Sequence, residues 1–192
     1  MASSPKILAF SGSARRESLN QKFLDAAVDA VRAAGGEVTA INLKDYPLPI
    51  YDGDFEDAHG LPDNARKLVD LVKGHAGLLI ASPEYNSMVT PLLKNTIDWC
   101  TRADDDPFPG RVAAVISASP GQYGGIRSLK LAQQLLLHLG CHIVPAQPSL
   151  PQANRAFDAA GKLTSERSQK ALVEMAGKLV ELTRKLGKTG ES

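Results

Sequence analysis

Short apolar runs of strand length alternate about five times with longer stretches of helical period along this chain. Lys6 to Phe10 carries Ile7, Leu8, Ala9 and Phe10 without a polar break, as a strand covered on both faces must. Leu19, Phe23, Ala26, Ala27, Ala30 and Ala34 then recur at helical spacing until Gly35-Gly36 stops the pattern. Val38 to Leu43 reads as a second strand, Asp63 to Lys73 as a helix and Gly77 to Ala81 as a third strand. Pro91 opens a helix at the position where a missing N–H costs least, with Leu93, Ile97 and Cys100 on one stripe. Val112 to Ile116 is a fourth strand, Leu129 to Leu139 a helix ended by Gly140, and Cys141 to Val144 a fifth strand. A last helix carries Leu172, Met175, Ala176, Leu179, Thr183 and Leu186. Without an antiparallel hairpin signal, such alternation predicts an α/β fold whose parallel sheet has helices on both faces.

Right-handed crossovers leave few ways to wind five such strands. The expected architecture is a flavodoxin-like three-layer sandwich with a five-stranded parallel sheet in the order 2-1-3-4-5, its crevice at the carboxyl ends of strands 1 and 3. A single domain over residues 1–192 is expected, with 1–5 and 187–192 as flexible ends. At that length the core can stand without staples. Cys100 and Cys141 form no CxxC pair and read as reduced thiols. The long irregular stretch from Asp45 to Pro62 reads as a functional or mobile loop. With 22 Lys plus Arg against 21 Asp plus Glu, the formal charge of +1 argues against a nucleic-acid partner and against a strongly acidic electron carrier. No run approaches about 18 apolar residues and no signal-peptide core is present, so a soluble, cytoplasmic protein without membrane partners is expected.

Residues that neither core nor solvent explains collect in Ser11 to Asn20, Ser82 to Thr90 and Ser117 to Gly125, after the first, third and fourth predicted strands. In the first loop, Ser18 with Gln21 fits a capping box, which would start a helix and leave N–H groups aimed at the crevice. Ser11, Ser13, Arg15, Arg16 and Asn20 add hydroxyls, guanidiniums and an amide, together a site for a phosphate dianion; a capped loop with solvated arginines is the alternative. Neither GxGxxG nor GxxxxGK[ST] occurs, which argues against a dinucleotide or P-loop site and favours a monophosphate cofactor, flavin mononucleotide (FMN). In the other two loops, Gly121, Gly124 and Gly125 permit close backbone approach to a flat ring, and Tyr85 and Tyr123 offer walls. Turn chemistry is the competing explanation for Glu84, Asn86 and the glycines.

At these residues the chain resembles the NADPH-dependent FMN reductase family, flavodoxin-like enzymes that include bacterial quinone and chromate reductases. The pattern GSxRxxSxN is carried by Gly12, Ser13, Arg15, Ser18 and Asn20, and PEYN by Pro83 to Asn86, continued by Lys94, Asn95, Ile97, Asp98 and Trp99. The glycine loop is Ser117, Ala118, Ser119, Gly121, Gly124 and Gly125, and similarity runs from about Lys6 to Gln147. The resemblance implies an FMN phosphate held by Ser11, Ser13, Arg15, Ser18 and Asn20, and a flavin ring lined by Pro83, Glu84, Tyr85, Asn86, Ser117, Ala118, Ser119, Gly121, Gly124 and Gly125. It further implies an NAD(P)H-dependent oxidoreductase that reduces quinones or related acceptors, among them chromate, azo compounds or free flavin, by ping-pong hydride transfer through flavin N5. A homodimer or homotetramer, with a neighbouring subunit helping to wall the flavin, is implied as well. A reductase of free FMN and a flavodoxin-type carrier are the alternative functions. Because the flavin carries the chemistry, no catalytic side chain and no metal are expected; His59, His75, His138 and His142 lack ligand spacing.

Overall fold

A computed structural model describes residues 4–187. In chain order its elements are β1 (Lys6–Ser11), α1 (Leu19–Ala33), β2 (Glu37–Ala40), α2 (Gly53–His59), α3 (Asp63–Lys73), β3 (Gly77–Ala81), β4 (Glu84–Tyr85), β5 (Met88–Val89), α4 (Pro91–Cys100), β6 (Val112–Ala118), α5 (Ile126–His138), β7 (His142–Ile143), β8 (Ser149–Leu150) and α6 (Glu166–Leu186). The main sheet is parallel in the order β2-β1-β3-β6-β7, which is the predicted 2-1-3-4-5 winding, and β8 pairs with the far end of β6. Alternate residues of the continuous apolar strands enter opposite layers. Ile7, Ala9, Leu79, Ala81, Ala114 and Ile116 pack under α1 and α6. Leu8, Phe10, Leu78, Ile80, Ala113 and Val115 pack under α3, α4 and α5. Each face thus needs its own apolar side chains, and the sequence loses the alternation that a one-sided sheet would show.

Four features depart from the expected elements, the first being β8, a sixth strand on a sheet expected to have five. Strand β2 ends at Ala40, because the Asn42 side chain accepts from Lys44 N (3.0 Å) and turns Leu43–Asp45 into a 3-10 turn. A two-stranded antiparallel hairpin, β4-β5, stands apart from the main sheet where no hairpin was foreseen. The stretch from Asp45 to Pro62 is organised: Asp52 caps α2 by accepting from Asp54 N (2.9 Å) and Phe55 N (3.2 Å). Helix α4 then holds it down. Asn95 Nδ2 and Trp99 Nε1 both donate to Pro49 O at 2.8 Å, and Tyr51 N donates to Asn95 Oδ1 at 2.8 Å. The Asn95 and Trp99 of the family pattern therefore anchor a strap across the α4 side.

Of the ends expected to be flexible, residues 1–3 and 188–192 lie outside the described residues. Pro5 is buried, and its carbonyl accepts from Glu37 N (3.0 Å). Gly187 N donates to Thr183 O (3.0 Å).

Cys100 and Cys141 are free and buried in one apolar layer. Burial, with Asp106 nearby, pushes both thiols up to about 12. Folded thiols thus stay protonated where unfolded ones ionise, and their ionisation favours the unfolded chain as pH rises through the ordinary thiol range. Neither cysteine should react with iodoacetamide at pH 8 in the native protein, whereas both should in urea; mass spectrometry counts the adducts.

Candidate functional site

Strands β1, β3 and β6 pair in register, so the three loops that follow them leave the sheet at one edge. The first begins at Ser11, whose buried hydroxyl has no hydrogen-bond partner among the described residues. Gly12 follows in a slot that admits no side chain: a Cβ there would lie 2.8 Å from Leu93 Cβ and 3.1 Å from Thr90 Oγ1. Thr90 both caps α4 and donates to Gly12 O (2.6 Å), joining the first loop to the second. Ser18 caps α1, its Oγ accepting from Gln21 N (3.2 Å). The reciprocal half of the expected capping box does not form; the Gln21 side chain turns to Asp25 instead, its Nε2 donating to Oδ1 (2.9 Å). The N–H groups of Leu19 and Asn20 precede the reach of any intrahelical carbonyl, and Arg15 and Arg16 are exposed beside them.

Asn20, which the resemblance assigns to the phosphate, also holds two elements together. Its Nδ2 donates to Ala118 O (2.8 Å) while its Oδ1 accepts from Ala118 N (2.9 Å), so the buried amide ties α1 to the end of β6. The second and third loops are tied as closely. Ser117 Oγ donates to Ser82 O (2.8 Å), and Ser128 Oγ donates to Pro83 O (2.7 Å). The Ser82 and Ser128 hydroxyls lie 2.7 Å apart; with the Ser128 proton committed to Pro83, Ser82 is the donor. Glu84 Oε2 accepts from Arg127 N (3.0 Å) and Ser128 N (3.2 Å), and its Oε1 accepts from Arg127 Nη1 (3.3 Å). Gly125, which precedes α5 at φ 81°, could carry no Cβ, since one would lie 2.0 Å from Ser117 Oγ.

Asn86 and Ser87 form the tip of the β4-β5 hairpin with φ of 51° and 67°. A two-residue hairpin turn of type I′ has both central residues left-handed, and Asn tolerates that conformation. Asn86 is therefore an exposed turn residue.

Between the loops lies a cleft of about 490 Å³, within the usual range for small-ligand sites. Ser13, Arg15, Ser18 and Asn20 line it from the first loop, Pro83, Glu84 and Tyr85 from the second, and Ala118 and Ser119 from the third. Of the other residues implied, Ser11 and Ser117 are buried beside it, Asn86 sits at the hairpin tip, and Gly121, Gly124 and Gly125 lie farther along the third loop, outside the lining. Glu17, Leu19 and Pro120 complete the walls. Tyr85 in the lining is 48% exposed; Tyr123, outside it, is 65% exposed, with the Arg127 guanidinium 5.2 Å from its ring centre. Sequence reasoning missed Thr90, Ser82, Ser128 and Arg127. A Thr before the Pro91 of a helix start could have been read as a cap. Ser82 and Ser128 offered no signal, because their contact spans 46 residues.

The sequence profile of the NADPH-dependent FMN reductase family matches residues 5–155. The chain is 31% identical over 188 residues to an NAD(P)H-dependent FMN reductase of Pseudomonas aeruginosa, covering 97% of this chain and 99% of that one. It is 30% identical over 145 residues to a quinone reductase of Escherichia coli, covering 75% and 76% of the two chains. Among solved structures, FerB, a flavoenzyme NAD(P)H:(acceptor) oxidoreductase from Paracoccus denitrificans, superposes with a TM-score of 0.81 at 27% identity, over 96% of this chain and all of that one.

Asn20→Ala should lower stability by about 1–3 kcal/mol, because it leaves both Ala118 groups unpaired in a buried place. Asn20→Asp should not restore it, since a carboxylate would face the Ala118 carbonyl. Urea unfolding of the three proteins checks both outcomes.

Proposed function

The chain belongs to the NADPH-dependent FMN reductase family, and we propose from that membership that the cleft at the β1, β3 and β6 ends is where it holds FMN. The activity is that of an NAD(P)H-dependent oxidoreductase that uses FMN, with a quinone or related molecule as acceptor. One observation carries the placement: three loops cross-linked by buried polar bonds surround a cleft lined by the donors Ser13 and Arg15 and by the Tyr85 ring.

The residues fit the cofactor. The orphaned Ser11 hydroxyl, Ser13, Arg15 and the first N–H groups of α1 supply donors for a phosphate dianion, and the Gly12 slot lets backbone come close where a side chain would intrude. Tyr85, Pro83 and Ala118 to Pro120 offer the walls for a flat ring. Asn20, Thr90 and the Ser82–Ser117–Ser128 hydroxyls act from behind, fixing where those walls stand. When bound, FMN supplies hydride acceptance from NAD(P)H at N5 and delivery of the two electrons to the acceptor. The chain's own part is to bind, orient and exclude water, which asks for rigid loops rather than for a titrating side chain.

Exposed Tyr85, Met88 and Tyr123 leave apolar surface uncovered beside the cleft, which supports a homodimer or homotetramer whose neighbouring subunit closes the site. Among the described residues no helix is long and apolar enough to cross a membrane, and a cytoplasmic setting accords with the two buried free thiols.

Arg15→Ala should weaken FMN binding by about 1.5–3 kcal/mol, the worth of a charge-assisted contact, while leaving riboflavin binding nearly unchanged. Flavin-fluorescence titration of the stripped protein reads both, and an equal loss for riboflavin would contradict the phosphate role. Steady-state rates with NAD(P)H and a benzoquinone should give parallel double-reciprocal lines. Intersecting lines would mean a ternary complex instead.

A further inference from the structure

Helix α1 begins at the cleft and helix α5 is bound to its wall through Glu84, and their N-termini are treated in opposite ways. Helix α1 is capped at one N–H by its local Ser18, leaving N–H groups beside Ser13 and Arg15. Helix α5 has no local cap, since its N-cap is Gly125. Its free N–H groups go instead to the carboxylate of Glu84, 43 residues earlier in the chain. That carboxylate is seated as a bound oxyanion would be: two backbone N–H donors on Oε2, a guanidinium on Oε1 and a side chain only 15% exposed. The Arg127 guanidinium is itself braced by lying over the Tyr123 ring.

We propose that Glu84 is a positioning residue acting as the built-in anion of the α5 N-terminus: it occupies an oxyanion seat made by Arg127 N, Ser128 N and the Arg127 guanidinium. Two consequences follow for the site. The hairpin that carries Tyr85 and Asn86 is clamped to the start of α5, into which the third loop leads, so hairpin and helix start move as one wall. The first N–H groups of α5 are occupied, so an anionic group entering the cleft meets open helix N–H donors at the α1 end, where Arg15 stands. The second consequence depends on an FMN phosphate being that group; the seating of the carboxylate does not.

Removing the side chain should empty the seat and leave it fit for a small carboxylate from solution. Glu84→Ala in the full-length protein is expected to lower Tm by several degrees. Formate at tens of millimolar should restore much of that loss, whereas chloride at equal ionic strength should not, and wild type should not distinguish the two salts. The double variant Glu84→Ala with Arg127→Ala should lose most of the formate effect. The pattern is expected with and without added FMN, so it stands apart from any failure of the flavin reading, which the Arg15 titration reports. Should Glu84→Ala not fold, Glu84→Gln decides the point. It keeps an accepting oxygen and loses the charge, so its Tm should fall below wild type at low salt by a gap that NaCl narrows. Formate no better than chloride for Glu84→Ala, or a Gln variant with no gap or one indifferent to salt, would overturn the proposal.

Discussion

Ile7–Ser11, Gly77–Ala81 and Val112–Ile116 pair in parallel, residue against residue, so three stretches of chain leave the sheet side by side at the same edge. Everything at the cleft depends on that alignment. Parallel pairing sends each connection back over a face of the sheet, and the helices that make these returns bury the strands on both sides. The strands can then be short and continuously apolar, and the polar residues are displaced to the loops at their carboxyl ends. A ligand site at that edge is a consequence of winding before it is a consequence of any particular residue.

Loops alone would not hold a flat cofactor, because their own backbone groups would seek water or one another. Here they are satisfied across loops. Asn20 pairs with Ala118, Thr90 with Gly12, Ser117 with Ser82, and Glu84 with the start of α5. Each bond is between parts of the chain at least 35 residues apart, so each constrains tertiary placement rather than local shape. Buried polar pairs of this kind add little net stability when made and cost heavily when one partner is lost. They make the cleft's geometry hard to deform, which is what orientation of a hydride donor and acceptor requires.

The net charge of +1 hides an uneven local arrangement. At the α1 end the donors Ser13, Arg15 and the first helical N–H groups face the cleft, while the neighbouring Glu17 is drawn to Lys22 (3.2 Å). At the α5 end the dipole is met by Glu84 from within the protein. The start of α1 keeps its first N–H groups open, and the start of α5 has them filled by the chain itself.

The winding was legible from the sequence because burial on both faces removes alternation from strands and leaves period 3.6 in helices, and both are local patterns. The three loops were legible for a related reason: Gly12, Ser18, Pro91 and Gly125 stand where backbone geometry restricts the residue type. Helix α2, the β4-β5 hairpin and β8 were not, since each is too short to show a period and is held by contacts from elsewhere, as the Pro49 carbonyl is by Asn95 and Trp99. The same limit applied to individual roles. The sequence by itself determined the residue types at the crevice, Asn20 and Glu84 among them, and the kind of fold that gathers them. Only the tertiary structure decided that Asn20 spends its amide on Ala118 and Glu84 its carboxylate on α5, because a hydrogen bond is chosen by which partners folding brings within about 3 Å, and residue type alone does not specify them.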